Sequence, residues 1–455
     1  MGQRALSSLL ISMLIFSFSP CSNGQQQCAF TGAGSAQVRA GYWFSLYSHD
    51  FPVSSIDASL YTHLYYYSLP LSFDEANAGV SVLPHDQLPL LGIFSNSLKS
   101  SSPSLRTLLS IATDDHQAND ESNAAFSAMA ADPVLRAAFI NSALELARAN
   151  RFDGLDLAWQ FPSSPSDMTN LGILLEEWRA RIGEEARNSS SALLLTATVY
   201  FSNHLFDEAT DNLDYPTDAI SRNLDWVNAL CFGYHKNSNV TAHGAALFDK
   251  TSHFSTSYGI TSWLDAGIPA CKLVMGVPLQ GRSWFLRNKT KNKAGDPVVA
   301  AGPRQKMSDR IGVMAYSEIE ELMKNPRSGF VYDSQTVSSY LHSGDLWVSF
   351  DSPEVVEDKI RFAQHNTLLG YFLWPINFDD PNRTISKQAS DAWLRNYDSS
   401  CYRDEDGFKQ APSPSVAPQE DGAAPLAAIS GSAQRSAKID SCHLALYLLL
   451  CFLFI

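Results

Sequence analysis

Apolar, β-favouring runs recur along the chain, with helix-like stretches between several of them. Val38 to Phe44 is the first, Leu60 to Ser68 the second, Leu105 to Ile111 the third and Phe152 to Trp159 the fourth. Leu193 to Phe201, Trp226 to Phe232, Leu273 to Pro278 and Leu368 to Trp374 complete the set. The clearest helical pattern is Asp132 to Arg151. It has Pro133 near its first turn and Phe139, Leu144, Leu146 and Ala147 at helical spacing. Strands alternating with helices imply a parallel sheet, and eight of them imply a TIM barrel. The count alone leaves a doubly wound sheet open.

Between the seventh and eighth runs the gap is too long for one loop. Residues 283 to 350 hold Val331-Tyr332, Leu346 to Phe350 and a helical patch at Tyr316 to Met323. These predict a small α+β insertion.

The two ends read differently from the middle. Arg4, the apolar run Leu9 to Phe18, Pro20 and the small residues Ser22-Asn23-Gly24 form a secretory signal over residues 1–24. Residues 403–432 form a Pro/Ala/Ser stretch with few large apolar side chains, expected to be a disordered stalk. The last residues, Cys442 to Ile455, are almost wholly apolar. Three readings compete for them. A membrane-spanning helix needs ~20 apolar residues, more than are present. A terminal barrel helix sits awkwardly after a stalk. A glycosylphosphatidylinositol (GPI) signal needs small residues, a polar spacer of ~8–12 residues and an apolar tail. Ser430-Gly431-Ser432, then Ala433 to Ser441, then the tail supply these in order, so residues 433–455 are expected to be removed and Ser430 to be lipidated. That predicts a protein on the outer face of the plasma membrane, where any signalling role requires a transmembrane partner.

Composition narrows the partners. The chain has 455 residues, 45% hydrophobic and 18% charged, enough for a large core. Its net charge of −14 argues against nucleic acid. No His, Cys or carboxylate spacing suggests a metal, and no cofactor is implied. Four cysteines lie between signal and tail: Cys28, Cys231, Cys271 and Cys401. Three pairings are open. Cys28 with Cys401 is the first expectation, because barrel termini meet; Cys231 sits inside an apolar strand pattern, which leaves a disulfide and a free buried thiol equally open for it. Asn188, Asn239, Asn288 and Asn382 begin Asn-x-Ser/Thr sequons, expected on surface loops.

The fourth run carries the most specific signal. Residues 152 to 162 read Phe-Asp-Gly-Leu-Asp-Leu-Ala-Trp-Gln-Phe-Pro. This resembles the signature strand of family 18 glycoside hydrolases, Asp-Gly-x-Asp-x-Asp-Trp-Glu-Tyr-Pro. Val38 to Trp43, Leu224 to Asn228, Lys272 to Pro278 and Leu369 to Trp374 resemble other strands of plant class V chitinases. The resemblance covers most of residues 36 to 398 and implies a (β/α)8 TIM barrel over residues 25–402, with the α+β insertion walling one side of a sugar cleft. It also implies a substrate-assisted mechanism. A Glu at position 160 protonates the glycosidic oxygen, the substrate's N-acetyl oxygen attacks, and an Asp at position 158 supports the ring that forms.

Here position 160 is Gln160 and position 158 is Ala158. Glutamine hydrogen-bonds an oxygen but has no proton to donate, and a positioned general acid contributes ~10²–10⁴ in rate. Other strands depart from the family as well. Met-x-Tyr-Asp becomes Leu230-Cys231-Phe232-Gly233, and Phe-Tyr-Gly becomes Leu279-Gln280-Gly281. Ser-x-Gly-Gly becomes Ser110-Ile111-Ala112-Thr113, and the second Phe of Phe-x-Phe becomes Ser68. Trp374 is retained where the family places a Trp beneath the central sugar, with Tyr42 near the same floor.

The expectation is a pseudoenzyme that binds chitin-type or other N-acetylglucosamine-containing glycans at the cell surface. Its candidate ligand-binding residues are Trp374, Gln160, Asp156 and Tyr42, with Asp156 more a structural hydrogen-bonding group than a catalyst. A protein-interaction scaffold, such as a hydrolase inhibitor or receptor accessory subunit, and a residual hydrolase with a displaced acid are the alternatives.

Overall fold

The computed structural model describes residues 37–395, apart from 75–78, 82–87, 114–119, 190, 208–209 and 236–237. The signal, Cys28, Cys401, the stalk, Ser430 and the apolar tail lie outside the described residues.

Eight parallel strands close into a barrel: β1 Val38–Phe44, β2 His63–Pro70, β3 Arg106–Ala112, β4 Gly154–Ala158, β5 Leu194–Tyr200, β6 Trp226–Leu230, β7 Leu273–Pro278 and β8 Gly370–Trp374. Each pairs with its sequence neighbours, and β1 pairs with β8 to close the ring. That seam is tight. A Cβ at Gly370 would lie 1.8 Å from the Val38 carbonyl oxygen, so only glycine lets the two backbones meet there. In β4, β6, β7 and β8 every residue is buried, as expected for strands covered on both faces. Alternation sends Tyr65 inward to stack on Tyr42 at 4.2 Å and Tyr66 outward against Phe94 at 5.5 Å.

The strands follow the apolar runs, with ends trimmed by local hydrogen bonding. Leu60 belongs to a short 3-10 turn, Ala58–Leu60, whose N-cap Asp57 accepts from the Ser59 amide, so β2 starts only at His63. Asp153 stays outside β4 because its carboxylate accepts from the Thr107 amide and pairs with Lys99 and Arg106.

Helix starts are built alike. Pro133–Ala149, Pro165–Glu185 and Pro353–His365 each open with proline after a capping residue, Asp132, Ser164 and Ser352, whose side chain accepts from first-turn amides.

The insertion is an antiparallel sheet ordered Val298–Ala301, Gln280–Leu286, Leu346–Phe350, Ser338–Ser343, Gly329–Asp333, with Val313–Ala315 also paired to Gln280–Leu286 and a helix at Tyr316–Met323. It begins at Gln280, three residues before the expected boundary. Asn188, Asn239, Asn288 and Asn382 are all exposed. Cys231 is a buried free thiol and Cys271 is disulfide-bonded, so the partner of Cys271 lies outside the described residues. No described helix is long and apolar enough to cross a membrane.

Candidate functional site

At the C-terminal ends of the barrel strands, where such barrels carry their sites, a cavity of about 170 Å³ opens against the insertion. Gln160 and Phe161 enter it just past β4, Tyr200 from the end of β5, Leu230 from β6 with Phe232 and Gly233 beyond it, Pro278 from β7 and Trp374 from β8. Gln280, Arg282, Arg310 and Phe350 line it from the insertion. Cis peptide bonds at Tyr67–Ser68, Gln160–Phe161 and Trp374–Pro375 fall at or near the ends of β2, β4 and β8.

Gln160 is on the cavity wall. Its backbone is tied to β3, with its amide donating to Thr113 Oγ1 at 3.1 Å and its carbonyl accepting from the same hydroxyl at 3.5 Å. Its side-chain Nε2 is buried without a hydrogen-bond partner. A buried amide N–H₂ left unpaired costs free energy that an incoming oxygen acceptor would recover. Thr113, one of the departures on the third strand, thus fixes the segment that carries Gln160. Ala158 is fully buried and absent from the cavity lining, so the methyl group there closes the layer below.

Two expected ligand residues lie deeper. Asp156 and Tyr42, expected among the ligand contacts, are each 0% exposed, and neither is on the cavity lining. The reason is the strand repeat: residues two apart share a face but occupy successive layers of the barrel interior. Asp156 accepts from Ser110 Oγ at 2.8 Å, Thr196 Oγ1 at 2.7 Å, Thr198 Oγ1 at 3.0 Å and the Tyr42 hydroxyl at 3.2 Å. Asn228 Nδ2 donates to Tyr42 and Tyr65 in turn. Burial raises the Asp156 pKa, and the four hydroxyl donors oppose that shift. The result is a polar plug in the barrel core that holds strands β1, β3, β4, β5 and β6 in register.

Trp374 reaches the cavity while resting on a packed aromatic bed. Tyr67 lies 4.7 Å from its ring, Tyr42 4.8 Å and Phe44 4.9 Å, with Phe232 at 6.0 Å on the lining. Tyr42 therefore supports the floor from below. A ring held this way is a fixed flat surface able to stack on the C–H face of a sugar.

The sequence reading missed the insertion side and the flank beyond β6. Arg282, Arg310, His235, Ser349 and Phe350 line the same cavity. Burial pushes His235 below its ordinary value; burial, then the like charge of Arg310, does the same to Arg282. No local motif announces these residues. Arg282 meets Ser349 and Val313 only through antiparallel pairing across the insertion sheet. Among the described residues no cluster of His, Cys, Asp or Glu could hold a metal ion, and no described lining residue is a carboxylate.

Residues 38–379 match the profile of glycosyl hydrolases family 18. Class V chitinase CHIT5 of Lotus japonicus is 38% identical over 387 residues, covering 85% of this chain and 92% of that protein. The structure of a Glu-to-Gln mutant of Class V Chitinase from Nicotiana tobaccum, in complex with NAG4, superposes with a TM-score of 0.71 at 36% identity, covering 78% of this chain and 99% of that one. The chitinase-like agglutinin RobpsCRA of Robinia pseudoacacia superposes with a TM-score of 0.69 at 31% identity, over 78% of this chain and 99% of that one.

Proposed function

Because the chain belongs to glycosyl hydrolase family 18, we propose that it binds chitin-type, N-acetylglucosamine-containing oligosaccharides in the cavity above the barrel and does not hydrolyse them. The observation that carries this reading is Gln160: an amide at the family's acid position, on the cavity wall, with its Nε2 buried and unpaired. A glycosidic or acetamido oxygen would satisfy that donor. The Trp374 ring supplies a stacking face beside it.

Chemistry argues against turnover. Substrate-assisted hydrolysis needs a proton on the leaving oxygen and a negative group to support the charged ring. Gln160 supplies no proton and Ala158 no charge. Asp156 is too deep to take over, and the described cavity lining has no other carboxylate. A relative on this scaffold is described in complex with NAG4 while carrying a Glu-to-Gln exchange. An agglutinin on this scaffold further supports a binding role. The open cavity favours a glycan over a scaffold whose groove is filled.

The reading includes an address. The C-terminal GPI signal would hold the barrel on the outer face of the plasma membrane, and its release from cells by a phosphatidylinositol-specific phospholipase tests that point. For the ligand, the test is calorimetric titration with N-acetylglucosamine oligomers of increasing length. Saturable binding that weakens about tenfold or more in Trp374→Ala is expected, given the loss of a stacked aromatic. Absence of binding to every oligomer would remove the proposal.

A further inference from the structure

We propose that Phe206, His253, Phe254 and Tyr258 form a second sugar-stacking surface beside the cavity, which takes the outer residues of a bound N-acetylglucosamine oligosaccharide. The proposal rests on the glycan-binding reading and extends the site beyond the cavity. Two segments bring the rings together. Phe206 stands on a hairpin after β5, His204–Asp207 paired with Thr210–Asp214. His253 and Phe254 lead into the helix Thr256–Asp265, and Tyr258 lies in its first turn. Ser255 caps that helix, accepting from the Tyr258 amide at 3.3 Å. The His253 and Tyr258 rings stack 4.4 Å apart and 11° from parallel. The Phe206 ring sits 5.7 Å from His253, 5.8 Å from Phe254 and 6.0 Å from Tyr258.

Buried Phe201 backs this surface, 6.1 Å from Phe206 and 6.0 Å from Phe254, as the aromatic bed backs Trp374. Continuity with the cavity comes from His235, which lines it and lies 5.4 Å from Phe254. Tyr200, also on the lining, is 4.5 Å from Phe201. All four rings of the surface are half-buried, whereas Ile260 and Trp263, farther along the same helix, are 0% exposed. Rings that only fill a core are covered; a contiguous group left partly open beside a cavity marks a binding surface. The edges of the rings narrow the occupant. Among the described residues, neither the Tyr258 hydroxyl nor the His253 ring nitrogens make a hydrogen bond. An acyl chain would leave those groups unpaired. A sugar offers its C–H face to the rings and its hydroxyls to their polar tips. The size of the cavity, about 170 Å³, agrees. It falls below the ~300–1,000 Å³ of pockets that enclose a drug-sized ligand, so an oligosaccharide seated on Trp374 extends past its rim.

The test is calorimetric titration of the full-length protein with the N-acetylglucosamine trimer and hexamer. The hexamer should bind about tenfold or more tightly, as further stacked rings imply. The double variant Phe206→Ala/Tyr258→Ala should lower that hexamer-to-trimer ratio about fivefold or more. A second readout decides the matter if the double variant fails to fold, as judged by its thermal melt. In wild type, the His253 ring resonances, assigned through their loss in His253→Gln, should shift in NMR spectra on adding hexamer and far less on adding trimer. Equal affinity for trimer and hexamer would overturn the outer surface and leave glycan binding intact. A ratio that survives the double substitution, or a bound hexamer that leaves His253 unshifted, would also overturn it. Failure of both oligomers to bind would overturn glycan binding and this proposal together.

Discussion

At the scale of single residues, β4 and the residues flanking it hold three kinds of position. Asp153 ties β4 to its neighbours through Thr107, Lys99 and Arg106. Asp156 anchors a buried hydroxyl network, and Gln160 faces the cavity. Restoring the acid alone is therefore expected to fail. Gln160→Glu should release no product from N-acetylglucosamine oligomers, because Ala158 and Gly233 leave the new carboxyl without its expected partners. Gln160→Glu/Ala158→Asp should stay at least ~10²-fold below a class V relative, since Phe232, Gly233 and Gln280 remain; product analysis by mass spectrometry measures both. The identity of position 160 was legible from spacing. The depth of Asp156 and Tyr42 was not, because period two gives a face and not a layer. His63 gives a residue-scale pH effect. It is buried at the start of β2 against Trp226, and burial, helped by Arg106, lowers its pKa from 6.5 to about 4. The unfolded chain binds a proton below pH 6.5 that the fold resists. Stability from this group is thus full above 6.5 and lost as pH falls toward 4, by on the order of 3 kcal/mol. Denaturant melts of wild type and His63→Gln across that window should differ in slope, the variant being flatter.

At the scale of elements, the barrel was readable because each strand is a short apolar run and each long helix announces its start with a cap and a proline. The insertion helix Tyr316–Met323 was equally plain. What the pattern hid was the pairing order of the insertion sheet, and with it the insertion side of the cavity, because antiparallel register joins residues far apart in sequence. The insertion is fastened to the barrel side by a buried ion pair. Asp351, just after Leu346–Phe350, meets Lys359 of Pro353–His365 at 2.5 Å, and Lys359 also donates to the carbonyl of Ala245 on the cavity lining at 2.6 Å. Lys359 is 0% exposed and Asp351 3%. Lys359→Met should cost about 3–5 kcal/mol by stranding a buried carboxylate, and adding Asp351→Leu should recover much of that; equilibrium unfolding measures both.

At the scale of the whole molecule, a hydrolase scaffold keeps its floor, its closed barrel and its insertion wall while carrying Ala158, Gln160 and Gly233 at the positions the resemblance assigns to carboxylates. Those three positions were legible in the sequence because each departs from a recognisable motif at a fixed spacing. The replacement character of the cleft was not, since Arg282, Arg310 and His235 converge only in three dimensions. The central claim, binding without cleavage, is tested most directly by prolonged calorimetric titration with the N-acetylglucosamine tetramer, the cell contents then being weighed by mass spectrometry. The account predicts a saturable isotherm that returns to baseline after each injection, with the tetramer recovered intact. Continuous heat after each injection, with shorter oligomers in the cell, would contradict it.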